Sequence, residues 1–211
     1  MLRMQTTVCL GLALAAFALS GCSSMNQAEC QSMDWRTVGY EDGVAGRSAD
    51  GIGRYRKSCG KFGVAPNLDQ YQSGREQGLR EFCKPANGFR IGARGHSYGG
   101  VCPDDLDRDF MPAYETGRQL HTLRARASQA NSRLANAHDE INRIDSDLIK
   151  LGADIINPQT TAEQRAQMLL DTKQMAERRG ALKKDIPQLE RERDYAERDL
   201  SEYRSTLQYV E

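Results

Sequence analysis

The chain has no net charge. Its 211 residues include 29 basic and 29 acidic side chains, which removes the electrostatic argument for binding nucleic acid. Apolar residues are also scarce, at 39%. That is below the ~45–50% of ordinary globular domains, as in a long coiled coil where each helix buries only a seam. Glycine almost disappears from the second half: of 19 glycines, only Gly152 and Gly180 follow Gly117. The chain is therefore two regions of different character, with the change between Arg108 and Leu120. The apolar run from Val8 to Leu19 is too short to span a membrane stably. Close cysteine pairs of the zinc-knuckle kind are lacking, so no metal is expected, and no cofactor either.

What is present is a long periodic stretch. Leu120, Leu123, Ala127, Ala130, Leu134, Ala137, Ile141, Ile144, Leu148, Leu151 and Ile155 follow one another at spacings of three and four. This is a heptad seam with Leu120 at a and Leu123 at d. A second seam runs through Met168, Thr172, Met175, Arg179, Leu182, Ile186, Leu189, Arg193, Ala196, Leu200, Tyr203, Leu207 and Val210. Two amphipathic helices of similar length with a tight connection predict an antiparallel hairpin, with helices over about 109–156 and 161–209. Asp109 is the expected N-cap, and Pro112 falls in the first turn. Asn157-Pro158 ends the first helix, and Thr160 with Glu163 matches a capping box for the second. A turn centred near Pro158 sets Arg179 beside Glu140. Pro187 should bend the return helix or remove one hydrogen bond.

At the other end, Arg3 precedes the apolar run, which closes on Leu19-Ser20-Gly21-Cys22. These residues resemble the lipobox of bacterial lipoproteins, which implies lipidation of Cys22 and removal of residues 1–21. Each buried methylene contributes roughly 0.8 kcal/mol, so three acyl chains would anchor the protein firmly. Ser23 stands where an aspartate would suggest inner-membrane retention. The expected location is the outer membrane, on its periplasmic face, with residues 22–29 as the tether.

Export to an oxidising compartment makes Cys30, Cys59, Cys83 and Cys102 candidates for two disulfides. Three connectivities are open. Pairing of neighbours, Cys30–Cys59 and Cys83–Cys102, closes local loops and is favoured. Residues 30–108 thus read as a small stapled module.

A weak repeat runs through it: Trp35 with Gly39 and Gly43, Tyr71 with Gly74 and Gly78, and Tyr114 with Gly117. On a helix these residues share a face, and the glycines make a flat strip for close packing. The stretch from Asn87 to Cys102 alternates in short glycine-punctuated segments, which suggests a β-hairpin or irregular loop. Within it, Gly95-His96-Ser97-Tyr98-Gly99 matches the Gly-x-Ser-x-Gly nucleophile elbow. That motif needs a parallel sheet behind it and a later acid and histidine. No run of parallel strands precedes the coil, and the later histidines, His121 and His138, lie on it. Chance is the better account of the match.

The lipobox, the Asp34-to-Gly43 stretch, the Gly74-to-Leu79 stretch and Tyr98-to-Cys102 together resemble a domain-of-unknown-function family of Gram-negative lipoproteins. The resemblance covers roughly Cys22 to Leu120 and implies no activity or catalytic residue. The expected fold is mainly α: a stapled glycine-rich module, then a hairpin over 109–211 with its core at Leu120, Leu123, Leu134, Ile141, Ile144, Leu148, Leu151, Ile155, Leu182, Ile186, Leu189, Leu200 and Leu207. The expected role is that of a non-catalytic adaptor for an envelope protein or a second copy. A module holding peptidoglycan or a small polar ligand is the second reading. A cell-wall hydrolase using Ser97, Asp42 or Asp105 is the third.

Overall fold

The computed structural model describes residues 25–207. The expected signal segment (residues 1–21), Cys22 and Val210 lie outside the described residues. Seven α-helices are found among them: α1 Gln27–Ser32, α2 Trp35–Val44, α3 Ile52–Gly60, α4 Leu68–Phe82, α5 Pro85–Ala93, α6 Asp104–Ile156 and α7 Ala162–Ser205. A 3-10 turn, Ala49–Gly51, leads into α3. The described residues contain no strand.

Helix starts are set locally. Asn26 caps α1 in a capping box, its side chain accepting from the Glu29 amide while the Glu29 carboxylate accepts from the Asn26 amide, both at 2.9 Å. Asp34 caps α2 and Asn67 caps α4. Pro85 stands in the first turn of α5, where a missing N–H costs nothing.

The described residues form two compact units. The first runs to Cys83 and adds Gly99–Leu106; the second is Lys84–Tyr98 with the described residues from Asp107 onward. In the first unit α2 and α4 cross with their backbones in contact. A Cβ on Gly39 would overlap the carbonyl oxygen of Tyr71, and one on Gly74 would overlap that of Arg36. Gly43 and Gly78 repeat this arrangement with Arg75 and Tyr40. An interior glycine costs ~1 kcal/mol of helix propensity relative to alanine; the close approach it permits is the compensation. Around the crossing Cys30, Trp35, Ile52, Cys59 and Tyr71 form the core. Disulfides join Cys30 to Cys59 and Cys83 to Cys102, with Cα atoms 5.5 and 5.8 Å apart. The pairing is between sequence neighbours.

The second unit repeats the device. Pro85–Ala93 is helix α5, not the first half of a β-hairpin. Gly88 and Gly92 lie against the carbonyls of Phe110 and Tyr114 on α6, and Gly117 lies against that of Phe89. A Gly-x-x-x-Gly pair on a helix supplies the flat face that a hairpin does not need. Phe110, Ala113 and Leu120 are buried, and the Tyr98 ring packs 4.7 Å from that of Phe110.

Helix α6 begins at Asp104 rather than Asp109, so Pro112 lies in its interior. The backbone continues through it, with one hydrogen bond fewer, while Phe110 and Ala113 on either side are buried. The return helix starts one residue later than expected, capped by Thr161 with Gln164. It ends at Ser205 rather than 209 and runs through Pro187.

Side chains of α6 and α7 meet in reversed order along the chain. Arg126 pairs with Asp199, Arg133 with Glu192, and Asp145 with Arg179. Ala127, Ala130 and Ala196 form one buried cluster with Leu200 beside it; Ala137, Ile141 and Leu182 form another with Ile144, Ile186 and Leu189. Tyr203 donates to the carbonyl of Thr116 at 3.0 Å.

Candidate interaction surface

Heptad labels sort the surface of the two long helices. Arg126, Arg133 and Glu140 all fall at g on α6; Arg178, Glu192 and Asp199 fall at g on α7. Their ion pairs therefore line one flank of the seam. Glu140 binds Arg178, not Arg179, because Arg179 is taken by Asp145. The Arg178 hydrogen bond holds the Glu140 carboxyl below its ordinary pKa. Both partners are solvated, so the pair fixes register more than it adds stability.

Two furrows follow this charged flank. One, of about 340 Å³, is lined by Arg126, Arg133, Glu192, Tyr195 and Asp199. The other, of about 480 Å³, lies between Glu140 and Asp185 over Ala137 and Leu189. The opposite flank carries the e positions, where Asn131 donates to Glu197 at 2.8 Å.

Burial along the seam is uneven. Leu120, Leu134 and Ile141 on α6 are buried, as is Leu182 on α7. Toward the connection, Ile144, Leu148, Leu151, Ile155, Met168 and Met175 are only half-buried, as are Leu123, Ile186, Leu189, Leu200 and Leu207 elsewhere. Large apolar side chains stand out beyond the seam there: Ile149 is 75% exposed, Ile156 80%, Leu169 58% and Leu170 57%.

This gradient gives a test. Loss of a buried leucine typically costs 2–5 kcal/mol, and a carboxylate in its place adds to that. Leu182→Asp should abolish amide-exchange protection on both long helices around its cluster. Leu148→Asp, at a half-buried layer, should raise exchange only toward the connection. Equal effects from the two variants would contradict the burial gradient.

The first unit contains the one buried carboxylate among the described residues, Asp42, 1% exposed. Its Oδ2 accepts from the Tyr71 hydroxyl at 2.9 Å; its Oδ1 accepts from Arg47 and, at 3.3 Å, from Tyr55. Arg75 holds the Arg47 carbonyl at 2.8 Å. Burial pushes the Tyr71 hydroxyl well above its ordinary pKa, with the Asp42 hydrogen bond adding to it. Tyr55 is raised for the same first reason. Gly51 completes the shell, since a Cβ there would sit 3.2 Å from Oδ2. An aspartate enclosed by three donors works as a tie between α2, α3 and α4.

Ser97 is exposed in the segment after α5, with no strand before it, and Asp105 is exposed in the first turn of α6. His121 packs over Gly95, and His138 is exposed on α6. The described residues include no group of three metal-ligating side chains and no helix long and apolar enough to cross a membrane.

The sequence reading missed Gly88 and Gly92 as a packing face, although their spacing repeats that of Gly39 and Gly43. It also missed Asp42 as the centre of a network, which no spacing announces. No curated protein and no solved structure matches the chain. Residues 34–119, from the cap of α2 to the last residue before the seam, match the model of a family described as protein of unknown function (DUF2799).

Proposed function

We propose that the chain is a non-catalytic lipoprotein, anchored through Cys22 in the outer membrane of a Gram-negative bacterium and facing the periplasm. In this reading α6 and α7 are an antiparallel helical hairpin that serves as an adaptor for another envelope component. The observation that carries it is the length of the two helices, 53 and 44 residues. At 1.5 Å per residue they reach roughly 80 and 65 Å, far more than a fold of this size needs to close a core. A stiff rod whose seam is only half-buried toward the connection suits contact at a distance. Two disulfides fit the oxidising compartment.

The second reading, a module that binds peptidoglycan or a small polar ligand, draws support from the family match, which ends at residue 119, before the seam. Deletion of residues 124–204 separates the two readings. Under the adaptor reading it abolishes in-cell crosslinking to the partner. If the phenotype survives that deletion, function resides in the module.

The anchor has its own test. Cys22→Ala should leave the uncleaved precursor and remove the protein from the outer-membrane fraction. Normal fractionation of that variant would refute the lipoprotein reading.

A further inference from the structure

The flank opposite the g-position ion pairs changes character toward the connection. On α6 its positions are Asp145, Ile149, Gly152 and Ile156; on α7 they are Ala162, Ala166, Leu169, Lys173, Ala176 and Gly180. These are e and b positions on both helices. The Asn131–Glu197 bond places the e positions of α6 and α7 on one side. The result is a continuous face whose only charge between Ile149 and Gly180 is Lys173, already 3.9 Å from Glu177. Charge returns at Asp145 and Lys183, which bound the face. Ile149, Ile156 and Leu169 project from it at 75%, 80% and 58% exposure. Between them are gaps: a Cβ on Gly152 or Gly180 would meet nothing within 4 Å.

We infer that this face is the contact for a second copy of the chain, which pairs with it about a two-fold axis. The inference rests on the hairpin reading above and names its partner. Two arguments favour a second copy. In a two-fold contact each face meets itself, so a charged face repels itself and a neutral one does not. A face that carries both ridges and gaps can seat its own ridges in its partner's gaps. The area is modest: the face runs ~27 Å along α7 but only ~11 Å along α6, so at ~10 Å of width per helix each copy gives ~400 Å², ~800 Å² in all. That is below what a stable interface needs and suits a weak, transient dimer. Anchoring both copies to one membrane would raise their effective concentration and strengthen the pairing without new contacts.

The test uses the full, membrane-anchored chain in two tagged forms, with a photo-crosslinking side chain in place of Lys173. The expected product joins the two tags at twice the chain mass. A probe in place of Arg191, on the exposed outer face, should give none. Ile156→Glu with Leu169→Glu should reduce the Lys173-probe product at least tenfold while helix content stays unchanged, since both side chains are exposed. Should that pair lose helix signal, Ala166→Glu alone takes its place. No product, a lipid adduct, or capture only of a different protein overturns the inference. The last outcome leaves the adaptor reading intact, whereas a dimer that forms in a strain indifferent to deletion of the hairpin sinks the adaptor reading alone.

Discussion

Gly74→Ala should unfold the first unit at temperatures the second survives. The added Cβ would overlap the carbonyl oxygen of Arg36 and approach the Tyr40 amide at 2.9 Å, both backbone atoms that cannot swing aside. Overpacking a core costs 1–3 kcal/mol when side chains absorb it. Here two helices must separate, so about 3 kcal/mol or more is expected, a large share of a small unit's stability. The readout is built in, because Trp35 is the only tryptophan and lies buried in the core of the first unit. Its fluorescence transition should shift down by more than 10 °C, while the helical signal of α6 and α7 melts where it did. Gly53→Ala is the control: nothing lies within 4 Å of a Cβ there, and alanine is the better helix former. An unchanged Trp35 transition in Gly74→Ala would refute the backbone-contact account.

Asp42→Ala should destabilise the same unit by about 2–4 kcal/mol. Removing one member of a buried ion pair costs 3–5 kcal/mol when its partner is stranded, and an unpaired buried hydroxyl costs 1–3. Arg47 is half-exposed and can turn to water, which lowers the first figure; the buried Tyr71 hydroxyl cannot. Tyr71→Phe should cost only about 1 kcal/mol, since Asp42 keeps two donors. The pH dependence has a definite sign. Tyr71 has its pKa raised in the folded state above the ordinary value of 10.0. Its contribution is complete below pH 10 and is lost as pH rises from there toward the folded value. The Trp35 transition should weaken in that window in the parent chain, and less so in Tyr71→Phe. Identical alkaline profiles for the two would contradict the assignment.

The parts of this fold that were legible from residues alone are those set by short-range periodicity. The cysteine neighbours pair, and the helix over Leu120–Ile155 ends at Ile156 because Pro158 disfavours its continuation. The parts that were not legible depend on what lies across from a residue. Gly88 and Gly92 look like turn glycines until Gly117 is placed against α5. Pro112 looks like a helix start because proline belongs there, yet burial of Phe110 and Ala113 holds the helix through it. Arg179 turns to Asp145 because the two helices are offset from a turn centred on Pro158. Asp42 offers no pattern at all: its donors come from positions 47, 55 and 71, and the most distant of them, Tyr71, reaches it through the glycine crossing of α2 and α4.

The connectivity of the disulfides bears on how such a chain matures. For a chain exported as proposed, the N-terminus enters the oxidising compartment first, and its thiols arrive in the order Cys30, Cys59, Cys83, Cys102. A donor of disulfides that joins thiols in order of arrival makes Cys30–Cys59 first and Cys83–Cys102 second, which is the native pairing. No wrong bond has to be undone. Maturation then calls for an oxidase but no isomerase, and the long helices, free of cysteine, can thread in behind a head that is already stapled.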